Sequence, residues 1–151
     1  MATVTSGVYP VFQNTFKIGK AGRTSEEADM VVIKEMESFS ISIDGNVEEW
    51  SAMEDEGWTK RMTTGKGLTL SLSGKRCIGD PGNDYVAACA WKTGTDCDSK
   101  FEWTMPSGAK LTFDCVLSVT EVGGGDSTNV ATLAVDIMSH GKPTYTAPVS
   151  A

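Results

Sequence analysis

The sequence predicts a mainly β domain with one short flanking α-helix, an extended N-terminal arm and a long loop. Three observations lead there. In GKGLTLSLSG (65–74), Leu68, Leu70 and Leu72 alternate with Thr69, Ser71 and Ser73, the period of a strand with one buried face. The alternation recurs in MESFSISID (36–44), KLTFDCVLSVTEV (110–122) and TNVATLAVDIM (128–138). Helix start and stop signals gather only in GDPGNDYVAACAWKTG (79–94).

Taken in order, residues 1–30 lack sustained periodicity and read as an extended arm carrying the polar loop GKAGRTSEEAD. In the strand at 36–44, Phe39, Ile41 and Ile43 face one way and Ser38, Ser40, Ser42 and Asp44 the other. An acidic connection with Trp50 and Trp58 follows, then a strand in TKRMTT and the leucine strand. In the helical segment Asp80 is placed to N-cap, Pro81 takes the first helical position and Gly94 is a suitable stop. Val86, Cys89 and Ala90 share its apolar face. KFEWTM is a strand closed by Pro106 and Gly108, and the last two strands form a hairpin around GGGDS. The tail 142–151 has two prolines and no apolar stripe, and reads as extended.

The chain of 151 residues is one domain long. A domain of that size buries roughly 70% of its unfolded surface and needs neither disulfide nor metal to fold. A net charge of −7 argues against an electrostatic nucleic-acid binder or a partner for anionic lipid. No apolar run approaches the ~20 residues that span a bilayer, so no membrane anchor is expected. MATVTSGVYPVF lacks the basic and apolar regions of a secretory signal. Cys77, Cys89, Cys97 and Cys115 form no CxxC pair, which disfavours structural zinc and fits reduced thiols in a cytosolic product.

Catalytic constellations are missing from the pattern. His140, the single histidine, follows Ser139 at a strand end and reads as an exposed turn residue. Gly65-Lys66 and Gly74-Lys75 fail as P-loops: Lys60 and Thr69 stand where the first glycine belongs, and Gly67 and Arg76 follow the lysines. DCD (96–98) and DPGND (80–84) lack EF-hand spacing and are explained by caps and turns. Trp58 neighbours Lys60 and Arg61, but six acids from Asp44 to Glu56 precede them, against single-strand binding. No catalytic, cofactor-binding or metal-binding residue is assigned, and no enzymatic activity is expected.

The strands share an unusual outer face. Its positions are Ser38, Ser40, Ser42, Asp44; Thr69, Ser71, Ser73; Thr112, Asp114, Val116, Ser118, Thr120; and Thr132, Ala134, Asp136, with no Lys or Arg among them. A plain solvated sheet usually carries some long charged side chains, and protected edges favour lysine. A face of short hydroxyls and aspartates fits an enclosed aqueous space, where long side chains obstruct and bases would hold a polyanion.

The order MESFSISIDGNVEEW, GWTKRMTTGKGLTLSLSGKR, GDPGNDYVAACAWKTG, FEWTMPSGAKLTFDCVLSVTEVGGGDSTNVATLAVDI and GKPTYT resembles the tail tube (major tail) proteins of tailed bacteriophages, over roughly residues 9–146. The resemblance implies a β-sandwich or half-barrel with a flanking helix, divided as an arm and loop (1–30), a tail-tube β-domain (31–141) and an extended tail (142–151). It implies homo-hexameric rings stacked into a tube through which DNA passes without specific binding. Six subunits would give a ring about −42. It also implies tape measure, tail initiator or baseplate, and tail terminator partners, synthesis in the host bacterial cytoplasm and residence in the virion tail. The lumen-lining residues would then be Ser38, Ser40, Ser42, Asp44, Thr69, Ser71, Ser73, Thr112, Asp114, Ser118, Thr120, Thr132 and Asp136. Trp50, Trp58, Lys60, Arg61, Gly123, Gly124 and Gly125 are subunit-interface candidates, the tryptophans as anchors and the glycines as a mobile tip. Two other readings stay open: an inner-tube subunit of a contractile injection particle or phage-derived bacteriocin, and a monomeric β-sandwich binding module.

Overall fold

The computed structural model describes residues 4–148; the first three residues of the expected arm and the last three of the expected tail lie outside it. Its strands are β1 (Thr15–Gly19), β2 (Met30–Val32), β3 (Met36–Trp50), β4 (Lys60–Lys75), β5 (Asp98–Thr104), β6 (Lys110–Val122), β7 (Thr132–Ser139) and β8 (Thr144–Thr146). They form an antiparallel sheet in the order β2-β1-β5-β6-β7-β4-β3. β8 pairs with Lys110–Thr112 of β6, so β7 and β8 run along β6 as one interrupted strand.

The sheet curls until its two ends meet. Phe39 of β3 packs edge-on against Phe16 of β1 at 4.8 Å and against Trp103 of β5 at 5.6 Å. Inside the curl lie Ile18, Leu70, Phe101, Cys115, Leu133 and Ile137, all but sealed from water. Leu68 and Leu72 join them, and fully burying each such side chain is worth about 1.5–3 kcal/mol. One short helix, α1 (Pro81–Ala88), covers the core with Val86 and Ala87. The architecture is the mainly β fold with one flanking helix that the sequence predicts.

α1 begins as its sequence dictates. The Asp80 carboxylate accepts a hydrogen bond from the Asn83 amide at 3.0 Å, and Pro81 fills the first turn. The helix stops at Ala88 rather than near Gly94; 3-10 turns at Cys89–Trp91 and Gly94–Cys97 follow. Ala87, not Ala90, completes the buried stripe with Val86 and Cys89.

Two stretches differ from the sequence reading. Residues 1–30 contain β1, whose Phe16 and Ile18 are core residues, together with 3-10 turns. Five residues with Lys17 between two apolar side chains give too short a pattern to stand out. The first part of the acidic connection is strand: β3 and β4 stay paired out to Trp50 and Lys60, past a bulge at Asn46/Val47, and 51–59 form the loop. This distal hairpin is exposed on both faces, so nothing imposes the alternation that marks a half-buried strand. The tail, read as extended, contributes β8.

Candidate functional surfaces

Residues paired directly across an antiparallel ladder share a face. The ladders place Ser40, Ser71, Asp136 and Ser118 in one row across β3, β4, β7 and β6. Ser42 and Thr69 continue into Met138 and Val116, and Ser38 and Ser73 into Ala134. Hydroxyls bridge neighbouring strands within the rows: Ser38 and Ser73 share a hydrogen bond at 2.8 Å, and Ser71 donates to Asp136 at 2.8 Å. Asp44 lies beyond them, opposite Gly67. Thr120 is the extra residue of a bulge between Val119 and Glu121, and Thr132 lies at the rim opposite Lys75. Thr112 and Asp114 share the face farther along β6.

That last stretch is where sequence reasoning fell short. Asp114 pairs with Lys100 and Thr112 with Glu102, while Lys110 pairs with Thr104 and Glu102 with Lys17. The face therefore has a hydroxyl–aspartate sector on β3, β4, β7 and distal β6, and a mixed-charge sector on β1, β5 and proximal β6. Lys75, the base at the rim of the first sector, is paired with Glu37 at 3.2 Å. Lys110 shares the alternation of Thr112 and Asp114 on β6 and was legible there; Lys17 and Lys100 join the face only through the pairing of β1 with β5 and of β5 with β6.

The second surface is the β3–β4 hairpin. Met53 is 99% exposed and Trp58 79%, with Trp50 opposite Lys60 near the tip. Arg61 bonds Glu49 at 2.8 Å and Lys60 meets Asp55 at 3.1 Å. At the hairpin's root Ile43, Leu68, Leu111 and Pro143 line an apolar groove of about 560 Å3 bordered by Lys66 and Lys142. The candidate tip at Gly123–Gly125 lies at the base of the β6–β7 loop: Gly123 donates to the Thr132 carbonyl at 2.6 Å, the turn itself is closed by the Asn129 amide donating to the Asp126 carbonyl at 2.9 Å, and Gly123 and Gly125 hold φ of 75° and 128°, which favour glycine.

Burial lifts the Cys115 thiol to about 12, and also pushes the Cys89 thiol and Tyr85 phenol up. These are protonated core groups, not nucleophiles at neutral pH. Among the described residues, no three His, Cys, Asp or Glu side chains are grouped to hold a metal ion, and no helix is long and apolar enough to cross a membrane.

No family model matches the sequence, and no curated protein matches it. Solved structures do resemble the fold. A chain in the tail of an empty GTA particle, determined by helical refinement with C6 symmetry, superimposes with a TM-score of 0.74 at 13% identity, covering 93% of this chain and 100% of that one. A chain of the anti-feeding prophage cap, the tube-terminating cap, gives 0.63 at 14% identity over 97% and 96%. One from the PVC sheath–tube complex of an extracellular contractile injection system gives 0.59 at 12% over 93% and 92%. At such identities the likeness is one of fold: this chain shares its architecture with chains of phage-like tails and injection-system tubes.

Proposed function

We propose that this protein is a structural subunit of a phage tail tube, polymerising as stacked hexameric rings into a hollow conduit for genome delivery, without catalysis. The observation that carries the reading is the combination of a complete core with a hairpin projecting beyond it. Met53 and Trp58 contribute nothing to that core, and exposed aromatic anchors of this kind suit assembly. The shared fold supports it.

In this reading the hydroxyl–aspartate rows line the lumen. Edges such as β3, with no Lys, Arg or Pro in MESFSISIDGNVEEW, pair between subunits and so cease to be exposed. Contacts between rings use the arm, the hairpin tip and the Gly123–Gly125 turn. Of Lys60, Arg61, Lys66, Lys75 and Arg76, only Lys66 makes no ion pair among the described residues. Lys66, with Lys142 at the same groove, is therefore the cation we assign to an acidic hairpin of a neighbouring subunit. Tape measure, initiator and terminator proteins are the partners this role requires; the assembled subunit would reside in the virion tail.

Negative-stain microscopy of purified protein, with and without tail initiator, tests the reading. Rings or hollow tubes support it; a persistent monomer at high concentration favours a monomeric β-sandwich binding module. A tube within a contractile injection particle is the second reading, favoured by the PVC sheath–tube likeness. A sheath gene beside this one would decide for it.

A further inference from the structure

We propose that the β1–β2 connection, residues 20–29, is a charge lid that holds Glu26 and Glu27 against Lys100 and Lys110 of the sheet's polar face and so lowers the hold of that face on a passing polyanion. The role rests on the conduit reading above; the lid itself is a property of the single chain.

The mixed-charge sector places Lys17, Lys100 and Lys110 on the same face as the Ser/Thr/Asp rows. Left open, these amines would repeat around a tube and retain phosphate, since neutralised phosphates release counterions and bind strongly at low salt. The connection flanks Lys100 and Lys110. Ser25 sits on the polar side of Gly19, so close that a Cβ at Gly19 would stand 2.4 Å from the Ser25 hydroxyl. Between connection and strands runs a polar groove of about 430 Å3, with Ser25, Glu26 and Glu27 on one wall and Lys100, Glu102 and Lys110 on the other.

Acids stand beside several bases of this sector. Lys17 approaches Glu102 at 3.8 Å, Lys100 stands opposite Asp114, and Arg23 of the connection meets Asp98 at 3.2 Å. Glu26 and Glu27 add negative charge from above. Such neutralisation works at short range, within the ~8 Å screening length of physiological salt. The connection is also a built element. Ser25 is buried, its hydroxyl donates to the Gly22 carbonyl at 2.6 Å and accepts from the Ala21 amide at 3.1 Å, and the Lys20 amide donates to the Asp29 carbonyl at 3.2 Å. Asp29 accepts from the Glu26 amide, closing a capping box.

The test uses the purified full chain and a short fluorescent single-stranded DNA, with anisotropy read at low and physiological salt. Wild type is expected to bind negligibly. The variant E26Q/E27Q, altered at exposed carboxylates of the connection, should bind at least about tenfold tighter at low salt and lose the gain when K100A/K110A is added. No gain in the E26Q/E27Q variant, or a gain that survives loss of both lysines, overturns the proposal. Independently, amine acetylation followed by mass spectrometry should modify Lys100 and Lys110 of wild type more slowly than the exposed Lys92; equal rates would remove the lid. Both measurements are made whether or not the protein forms tubes, so failure here leaves the tube reading standing, and a failure to form tubes leaves these results interpretable.

Discussion

Asn83, wholly buried at the head of α1, accepts a hydrogen bond from the Arg76 guanidinium at 2.9 Å. Its Oδ1 also accepts from the Cys77 amide at 2.9 Å, and its Nδ2 donates to the carbonyls of Lys34 at 3.1 Å and Lys75 at 2.9 Å. One side chain thereby joins the helix, the end of β4 and the connector between β2 and β3. Asn83→Ala strands backbone groups on two of those segments, at about 1–3 kcal/mol for each group left unsatisfied. We expect a total loss of about 3 kcal/mol or more, read as a lower urea midpoint with unchanged slope.

The same connector explains two glycines. A Cβ at Gly74 would lie 2.2 Å from the Glu35 carbonyl oxygen, and one at Gly82 2.4 Å from that of Val32. Gly74→Ala and Gly82→Ala should each cost about 1–3 kcal/mol or more, because backbone and not a flexible side chain must move. Gly67, with nothing within 4 Å of its would-be Cβ, is the control and should tolerate alanine. Thermal melts of the three variants discriminate; equal Tm values would refute the close-packing account.

How visible these features are in the sequence follows from what covers each strand. Leu68, Leu70 and Leu72 announced themselves because one face is sealed and the other open. The distal hairpin did not, since Val47, Glu48 and Glu49 have water on both sides and no period to keep. β1 was hidden by brevity. The polar rows could be read strand by strand, and Lys110 with them, but Lys17 and Lys100 could not be placed on the same face, because only the long-range pairing of Lys17 with Glu102 and Lys100 with Asp114 brings them there.

That pairing separates two aspartates that look equivalent in sequence. Asp136→Lys replaces a carboxylate among hydroxyls, and Asp114→Lys sets an amine opposite Lys100. We expect Asp136→Lys to assemble and to slow ejection in a salt-dependent way. Asp114→Lys should additionally lose roughly 0.2–1 kcal/mol of monomer stability to cross-strand repulsion. Ejection rate against ionic strength and urea titrations supply the readouts; wild-type ejection at low salt from Asp136→Lys particles would count against a DNA-repelling lumen.

For the hairpin tip, Trp58→Ala and Met53→Ala should leave monomer stability within about 0.5 kcal/mol, as surface changes do, while raising the concentration needed for assembly. Hydrogen exchange across 45–66 should be fast in the monomer and protected in the tube. Comparable protection in both states would mean that the hairpin is not an assembly element.

Thiol chemistry gives a further check. Cys89, Cys97 and Cys115 are buried and Cys77 is partly exposed. At mildly alkaline pH, native protein should react with a disulfide reagent first at Cys77. Cys115 ionises near 9 when unfolded and near 12 when folded, so the folded state holds the proton longer. Its contribution to stability is complete below about 9 and is lost as pH rises toward 12. Rapid modification of Cys115 in the native protein would contradict that burial.

The length of β4 has a mechanical consequence. Its distal half stands in the hairpin, and its proximal half, Thr69–Lys75, is laddered to β7. Ladder hydrogen bonds run perpendicular to the strands. A pull on the tip along the strand axis is therefore carried into the body of the molecule as shear, loading these bonds side by side, instead of peeling them open one after another. A filament linked through such tips would transmit tension from subunit to subunit along its stiffest direction.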